Sequence, residues 1–121
     1  MNERDETMSE CLFCRIASGV VPTALVWQDD SIVAFRDINP QCPVHVLLIP
    51  RKHITSLSEL SAQDDAIIGR LVRVSGQIAG REGVAATGYR LVANCGREAG
   101  QSVDHVHFHL LGGRPMHWPP G

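Results

Sequence analysis

Residues 105–111 read His105-Val106-His107-Phe108-His109-Leu110-Leu111. In an extended strand successive side chains alternate faces. The three imidazoles would then share one side, and Val106, Phe108 and Leu110 the other. Two strand rises put neighbouring rings about 7 Å apart. The apolar side asks for a core and the imidazole side for a cleft. Three titratable rings in one row make a poor neutral surface and mark a functional site. A neutral imidazole offers one lone-pair nitrogen, which can attack phosphorus or a carbonyl carbon, move protons or bind a metal. Just ahead lies Gly100-Gln101-Ser102, which offers backbone N–H groups and a hydroxyl. Glycine lets such a turn embrace an anion. Neither G-x-x-x-x-G-K-[ST] nor G-x-G-x-x-G occurs, so phosphate handling would rest on His, Ser and backbone rather than on a P-loop lysine.

Working outward, the last strand, Asp104 to Leu111, stops at Gly112-Gly113, and Tyr89 to Asn94 reads as another strand. Ile67, Leu71, Val74 and Ile78, widened by Ile68 and Val72, form a helical stripe over about residues 62–80. Ser61 to Asp64 has the spacing of a capping box, with Asp for Glu. Val44 to Pro50 is a nearly continuous apolar run and reads as a central strand. Ala24–Gln28 and Ser31–Asp37 flank Asp29-Asp30 as a hairpin. Ser9 is placed to cap a short helix over residues 10–18 that ends at Gly19. Residues 1–8 read as a loose tail, and residues 9–121 as a single domain. The fold class is α+β: a five-stranded antiparallel meander with one long and one short helix, both on one face.

The 121 residues carry 44% apolar and 20% charged side chains and a net charge of −2. That balance excludes disorder and supplies no basic surplus for sequence-independent nucleic-acid binding. No apolar run approaches the roughly 20 residues of a membrane helix. The polar, acidic start does not read as a signal peptide. A cytoplasmic protein is expected, with no membrane or specific nucleic-acid partner.

The pattern His-φ-His-φ-His-φ-φ, with φ apolar, resembles the histidine triad (HIT) superfamily of nucleotide hydrolases and transferases. The resemblance spans about residues 11–121 and is closest to the Hint-like histidine triad nucleotide-binding proteins, the nucleoside phosphoramidases. It includes Phe35-Arg36-Asp37-Ile38, His45-Val46-Leu47-Leu48-Ile49-Pro50, Gly100-Gln101-Ser102-Val103 and His117-Trp118-Pro119-Pro120-Gly121. Cys95 and Asp104 depart from residues common in relatives.

The resemblance implies a hydrolase of P–N bonds in purine nucleoside phosphoramidates. His107 would attack the α-phosphorus and form a nucleotidyl-histidine that water cleaves to the monophosphate. His109 and Ser102 would bind phosphate oxygens, with Gly100 and Gln101 in the same loop. His45 would stand behind His107. Asn94 would hold the phosphate or leaving-group side, and Asp37 the ribose hydroxyls. Leu12, Phe13, Ile16, Phe35 and Ile38 would sandwich the base. AMP, GMP and adenosine phosphoramidates are the implied small-molecule partners, and a homodimer the implied assembly, its tail with Trp118 near the partner's site. A dinucleoside polyphosphate hydrolase and a nucleotide-binding scaffold are the alternatives. Apart from the resemblance, Leu12, Phe13, Ile16 and Phe35 read as core, Asp37 as a turn residue bonding its own backbone, and His45 as a core histidine.

Cys11-Leu12-Phe13-Cys14 is a C-x-x-C. It resembles that of the superfamily's zinc-binding members, which implies Cys11, Cys14, His53 and His105 as ligands. Two thiolates and two imidazoles close a tetrahedral site, so this zinc would be structural and no catalytic metal is needed. Without the resemblance, the two cysteines read equally as reduced thiols. Cys42 and Cys95 read as bystanders.

Overall fold

The computed structural model describes residues 10–121. The expected tail over residues 1–8 and the Ser9 cap lie outside the described residues. A short helix α1 (Leu12–Ala17) leads into strands β1 (Leu25–Gln28), β2 (Ile32–Arg36) and β3 (Val44–Pro50). The long helix α2 (Asp65–Arg81) follows, then β4 (Tyr89–Ala93) and β5 (Phe108–Gly112). Ser61 and Asp64 do form a capping box, on a 3-10 turn over Ala62–Asp64 that feeds α2.

All strand pairs are antiparallel, in the order β1-β2-β3-β5-β4. The meander therefore fails at its last step. The chain leaves β3, traverses the sheet as the 17-residue α2, and re-enters at the far edge as β4. β5 returns between β3 and β4, where its fully buried Leu110 is covered.

The two helices lie on opposite faces, not on one. Ile32, Ala34, Val46, Leu48 and Leu110 pack with Leu71, Val74 and Ile78 of α2. Val33, Phe35, Leu47 and Ile49 pack with Phe13 and Ile16 of α1. The physical cause is legible in β2 and β3, whose unbroken apolar runs require cover on both sides.

The triad strand is shorter than its pattern predicts. Val103 to His105 is bent, and the ladder begins only at Phe108. The His105 N–H bonds Val103 O at 2.9 Å and the Val106 N–H bonds Ile54 O at 2.7 Å, so these backbone groups serve loops instead of a strand partner. The His107 and His109 ring centroids consequently stand 5.2 Å apart, closer than strand spacing gives.

Candidate active site

α1 and the turn after β2 enclose a cavity of about 320 Å³ on the sheet face opposite α2. Leu12, Phe13, Ile16, Phe35, Asp37 and Ile38 all line it, together with Leu47 and residues 21–23. The Phe13 and Phe35 rings meet edge to face at 5.6 Å. Ile38 is 98% exposed, so it is a rim residue and not core. Asp37 Oδ1 accepts the Asn39 N–H at 2.8 Å, which makes it a turn residue as well as a wall of the cavity. Its Oδ2 points to His45 Nε2 at 3.4 Å. Leu47 and residues 21–23 join the residues that the resemblance implies. The available signal for Leu47 was its place two residues beyond His45, on the same strand face.

The histidines adjoin this cavity. Phe13, which lines it, lies 5.1 Å from the His107 ring, and Leu47 is the register partner of His109. The row does not open evenly onto a cleft: His105 is 0% and His107 4% exposed, because α1 crosses this face. His107 Nδ1 lies 2.7 Å from His105 O. A carbonyl only accepts, so Nδ1 carries the proton and Nε2 keeps the lone pair. That Nε2 has no hydrogen-bond partner among the described residues and is not sealed from solvent. His45 was expected behind His107. Its Nε2 instead lies 2.9 Å from His109 Nδ1. The register explains this, since His45 pairs with Leu111 and Leu47 with His109, which sets the His45 side chain beside His109 on one face. Burial, then the neighbouring histidines, draws His109 from the ordinary 6.5 to about 4, although Asp37 opposes this. Burial likewise lowers His45 against the pull of Asp37.

A second cluster lies behind His107. Cys11 is the N-cap of α1, and its Sγ receives the Cys14 N–H. Its Sγ is 3.4 Å from His105 Nδ1, while Cys14 Sγ is 3.5 Å from that nitrogen and 3.2 Å from His53 Nδ1. The four ligand atoms all lie within 4.8 Å of one another. Zinc bonds of about 2.3 Å to sulfur and 2.0 Å to nitrogen give a tetrahedral S···N edge near 3.5 Å. His105 Nε2 lies 2.8 Å from Pro50 O, so that nitrogen donates and Nδ1 faces the sulfurs with its lone pair. The donor set fits a zinc ion. Burial, with the hydrogen bond and charge of Cys11, pushes the Cys14 thiol up to about 12.

The loop before the triad is arranged differently from its expectation. The Gly100 N–H bonds Arg97 O and the Gln101 N–H bonds Gly96 O, so these two groups close the loop instead of facing an anion. The Gln101 side chain ties Gly96 to Thr55 and Val103. Ser102 is exposed and lines a separate cavity with Cys11, Leu12, His53 and Thr55. Asn94 lines another with Arg90, Arg114 and His117. Leu12 lines both the Ser102 cavity and the one under α1, whereas the Asn94 cavity shares no lining residue with either. Cys95 Sγ lies 3.3 Å from Ser58 Oγ, and the hydrogen bonds from Ser58 lower its thiol.

Among the described residues no helix is long and apolar enough to cross a membrane. A family model described as "HIT domain" matches residues 18–116. The chain is 46% identical over 107 residues to the purine nucleoside phosphoramidase of Escherichia coli K12, covering 88% of this chain and 90% of that protein. It is 46% identical over 112 residues to an uncharacterized HIT-like protein of Synechocystis, covering 93% and 97%. Among solved structures, a HIT family hydrolase from Legionella pneumophila aligns with a TM-score of 0.91 at 46% identity, over 93% of this chain and all of that one. A histidine triad protein from Clostridium difficile aligns at 0.86 and 38% identity, over 97% of each. With the triad, the fold and these matches in agreement, the chain belongs to the HIT domain family.

Proposed function

We propose that this protein is a hydrolase of purine nucleoside phosphoramidates that works through His107. His107 Nε2 attacks the α-phosphorus, the P–N bond breaks, and the leaving nitrogen takes a proton from Ser102 or an adjacent water; the attacking water of the next step replaces that proton. Water then cleaves the Nε2–P bond, releasing the nucleoside monophosphate and a neutral ring. Two displacements replace one harder one. The base lies between Leu12, Phe13, Ile16, Phe35 and Ile38, the ribose hydroxyls donate to Asp37, and His109 with Ser102 meets the phosphate oxygens as charge shifts. Asn94 borders the leaving-group side. The observation that carries this reading is the 2.7 Å hydrogen bond from His107 Nδ1 to His105 O. It leaves Nε2 with an unpartnered lone pair, on a ring 5.1 Å from Phe13, which walls the cavity. The 46% identity to the Escherichia coli phosphoramidase supports the bond type.

Zinc is proposed for Cys11, Cys14, His53 and His105, where it would supply a cross-link and no chemistry. Those residues hold α1 against the loop that carries His107. The reading also carries a cytoplasmic homodimer, and sedimentation at several concentrations tests the assembly.

The experiment is turnover of adenosine 5′-phosphoramidate beside diadenosine tri- and tetraphosphate, with rapid quench to trap an acid-labile adduct. The phosphoramidate should be cleaved fastest, and mass spectrometry should place the nucleotide on His107. His107→Ala should lose at least 100-fold, about 2.7 kcal/mol of barrier. Turnover retained within about tenfold, ~1.4 kcal/mol, would overturn the covalent mechanism.

A further inference from the structure

His45 is 6% exposed on β3, and its ring has a partner at each nitrogen. Nδ1 lies 3.0 Å from the Gln41 backbone nitrogen, which donates to it. A backbone N–H cannot accept, so Nδ1 keeps its lone pair and the single proton of the neutral ring sits on Nε2. That nitrogen is 2.9 Å from His109 Nδ1. With the proton on His45, His109 Nδ1 must be the acceptor, and the proton of His109 is left on its Nε2.

We propose that His45 is a positioning residue that holds His109 as a neutral Nε2–H donor, its own direction being set by the Gln41 backbone. The consequence for phosphate binding rests on the function proposed above; the proton arrangement does not. Protonating His109 at Nδ1 would set two N–H groups against each other across 2.9 Å. The low position of His109, near 4, agrees with this and follows first from burial.

The charged and titratable groups around His109 leave that direction intact. His107, on its own segment, has its ring centroid 5.2 Å away. β3 contributes His45 itself. The turn after β2 contributes Asp37, whose Oδ2, 3.4 Å from His45 Nε2, is a second acceptor for the same proton. β4 places Val92 opposite His109 and Arg90 opposite Leu111, on the same face.

The arrangement also disqualifies Asp37, His45 and His109 as a metal site, although their ligand atoms lie within 4.8 Å of one another. A cation on His45 Nε2 would need that nitrogen's lone pair while Gln41 holds the other, which means an imidazolate. In the triplet His45 donates, Asp37 Oδ2 and His109 Nδ1 accept, and His109 keeps its own proton on Nε2. By contrast, His105 donates through Nε2 to a carbonyl and keeps Nδ1 free for a cation.

The test is nitrogen-15 NMR of the histidine side chains across pH, in the full chain. In the wild type, His109 should be the Nε2–H tautomer and stay neutral down to about pH 5. His45→Met keeps the volume and removes the donor, and the His109 midpoint should rise by about one pH unit or more. His45→Gln restores an N–H towards His109 and a carbonyl towards Gln41, and should return the midpoint to the wild-type value. An Nδ1–H tautomer of His109 in the wild type, or one midpoint shared by all three proteins, would overturn the proposal. If His45→Met does not fold, the wild-type tautomer and the Gln variant decide the matter. Failure of phosphoramidate turnover would remove the proposed function and leave these spectra unchanged, so the two are separable.

Discussion

Gly112 ends the strand that carries His109, and it is fixed by contact and not by backbone conformation. A Cβ there would lie 2.9 Å from Val84 Cβ and 3.0 Å from each of its Cγ atoms. Val84 is 4% exposed and belongs to the core under α2, so it has little room to yield. Gly112→Ala should therefore destabilise the protein by about 1–3 kcal/mol, the range for overpacking a dense core. Urea unfolding measures the loss, and adding Val84→Ala should recover part of it. An unchanged midpoint in Gly112→Ala would show that the strand end shifts freely. The next residue is held by both effects: Gly113 has φ +92°, and a Cβ would lie 2.9 Å from Pro43. The sequence signalled a stop at Gly112-Gly113, but only the packing shows that Gly112 still belongs to the ladder.

At the scale of elements, α1 is the least self-sufficient part of the site. Six residues are far below the roughly 12–15 that an isolated helix needs. It stays in place through Phe13 and Ile16 in the core, through Arg51 donating to Ala17 O at 2.6 Å, and through the cysteines beside His53 and His105. The same helix walls the cavity with Leu12, Phe13 and Ile16. If the proposed zinc and nucleotide sites are right, chelation should thus lower the melting temperature and weaken AMP binding together, read by calorimetry before and after. Zinc at only a few tenths of an equivalent, with neither quantity changed by chelation, would remove the cross-link. Periodicity and turn chemistry made α2, the hairpin and β3 legible in the sequence. The side taken by α1 was not, because its short stripe fits either face and only the second apolar side of β2 and β3 decides. The triad pattern read the three histidines as one strand row, whereas the ladder begins only at Phe108 and His105 turns to the cysteines. Whether the Val106 N–H bonds a ladder or Ile54 depends on a chain segment more than 50 residues away. Likewise Gly100-Gln101-Ser102 is permissive for an anion turn by composition, while the partners of its N–H groups are decided by Arg97 and Gly96.

For the whole molecule, the buried histidines fix the response to acid. His45, His105 and His109 are all drawn below their ordinary 6.5, the last two to about 4, and burial is the leading cause for each. A base whose folded pKa is depressed takes up its proton more readily when the chain unfolds. The unfolded state then binds more protons between these values, so stability rises with pH across the window. Above about 6.5 both states are neutral and the full stability is present. As the pH falls from 6.5 towards 4 that stability is progressively lost. Carboxylates act lower down. The hydrogen bonds from Lys52 and Ser61 lower Asp64, and Arg36 lowers Glu82 from 4.5, so their contributions survive until the pH drops below the ordinary carboxylate range. Two limbs should result in a plot of urea midpoint against pH: a histidine limb between 6.5 and 4, and a steeper carboxylate limb below it. His105 sits in the proposed metal cluster, so its share merges with metal release, which has the same sign. His109→Gln isolates the other part: it removes one titrating ring, and the upper limb should flatten while the lower one keeps its position. A midpoint constant from pH 6.5 to 5 in the wild type would mean that these rings accept protons inside the fold, and burial as the cause that holds His45, His105 and His109 low would have to be abandoned.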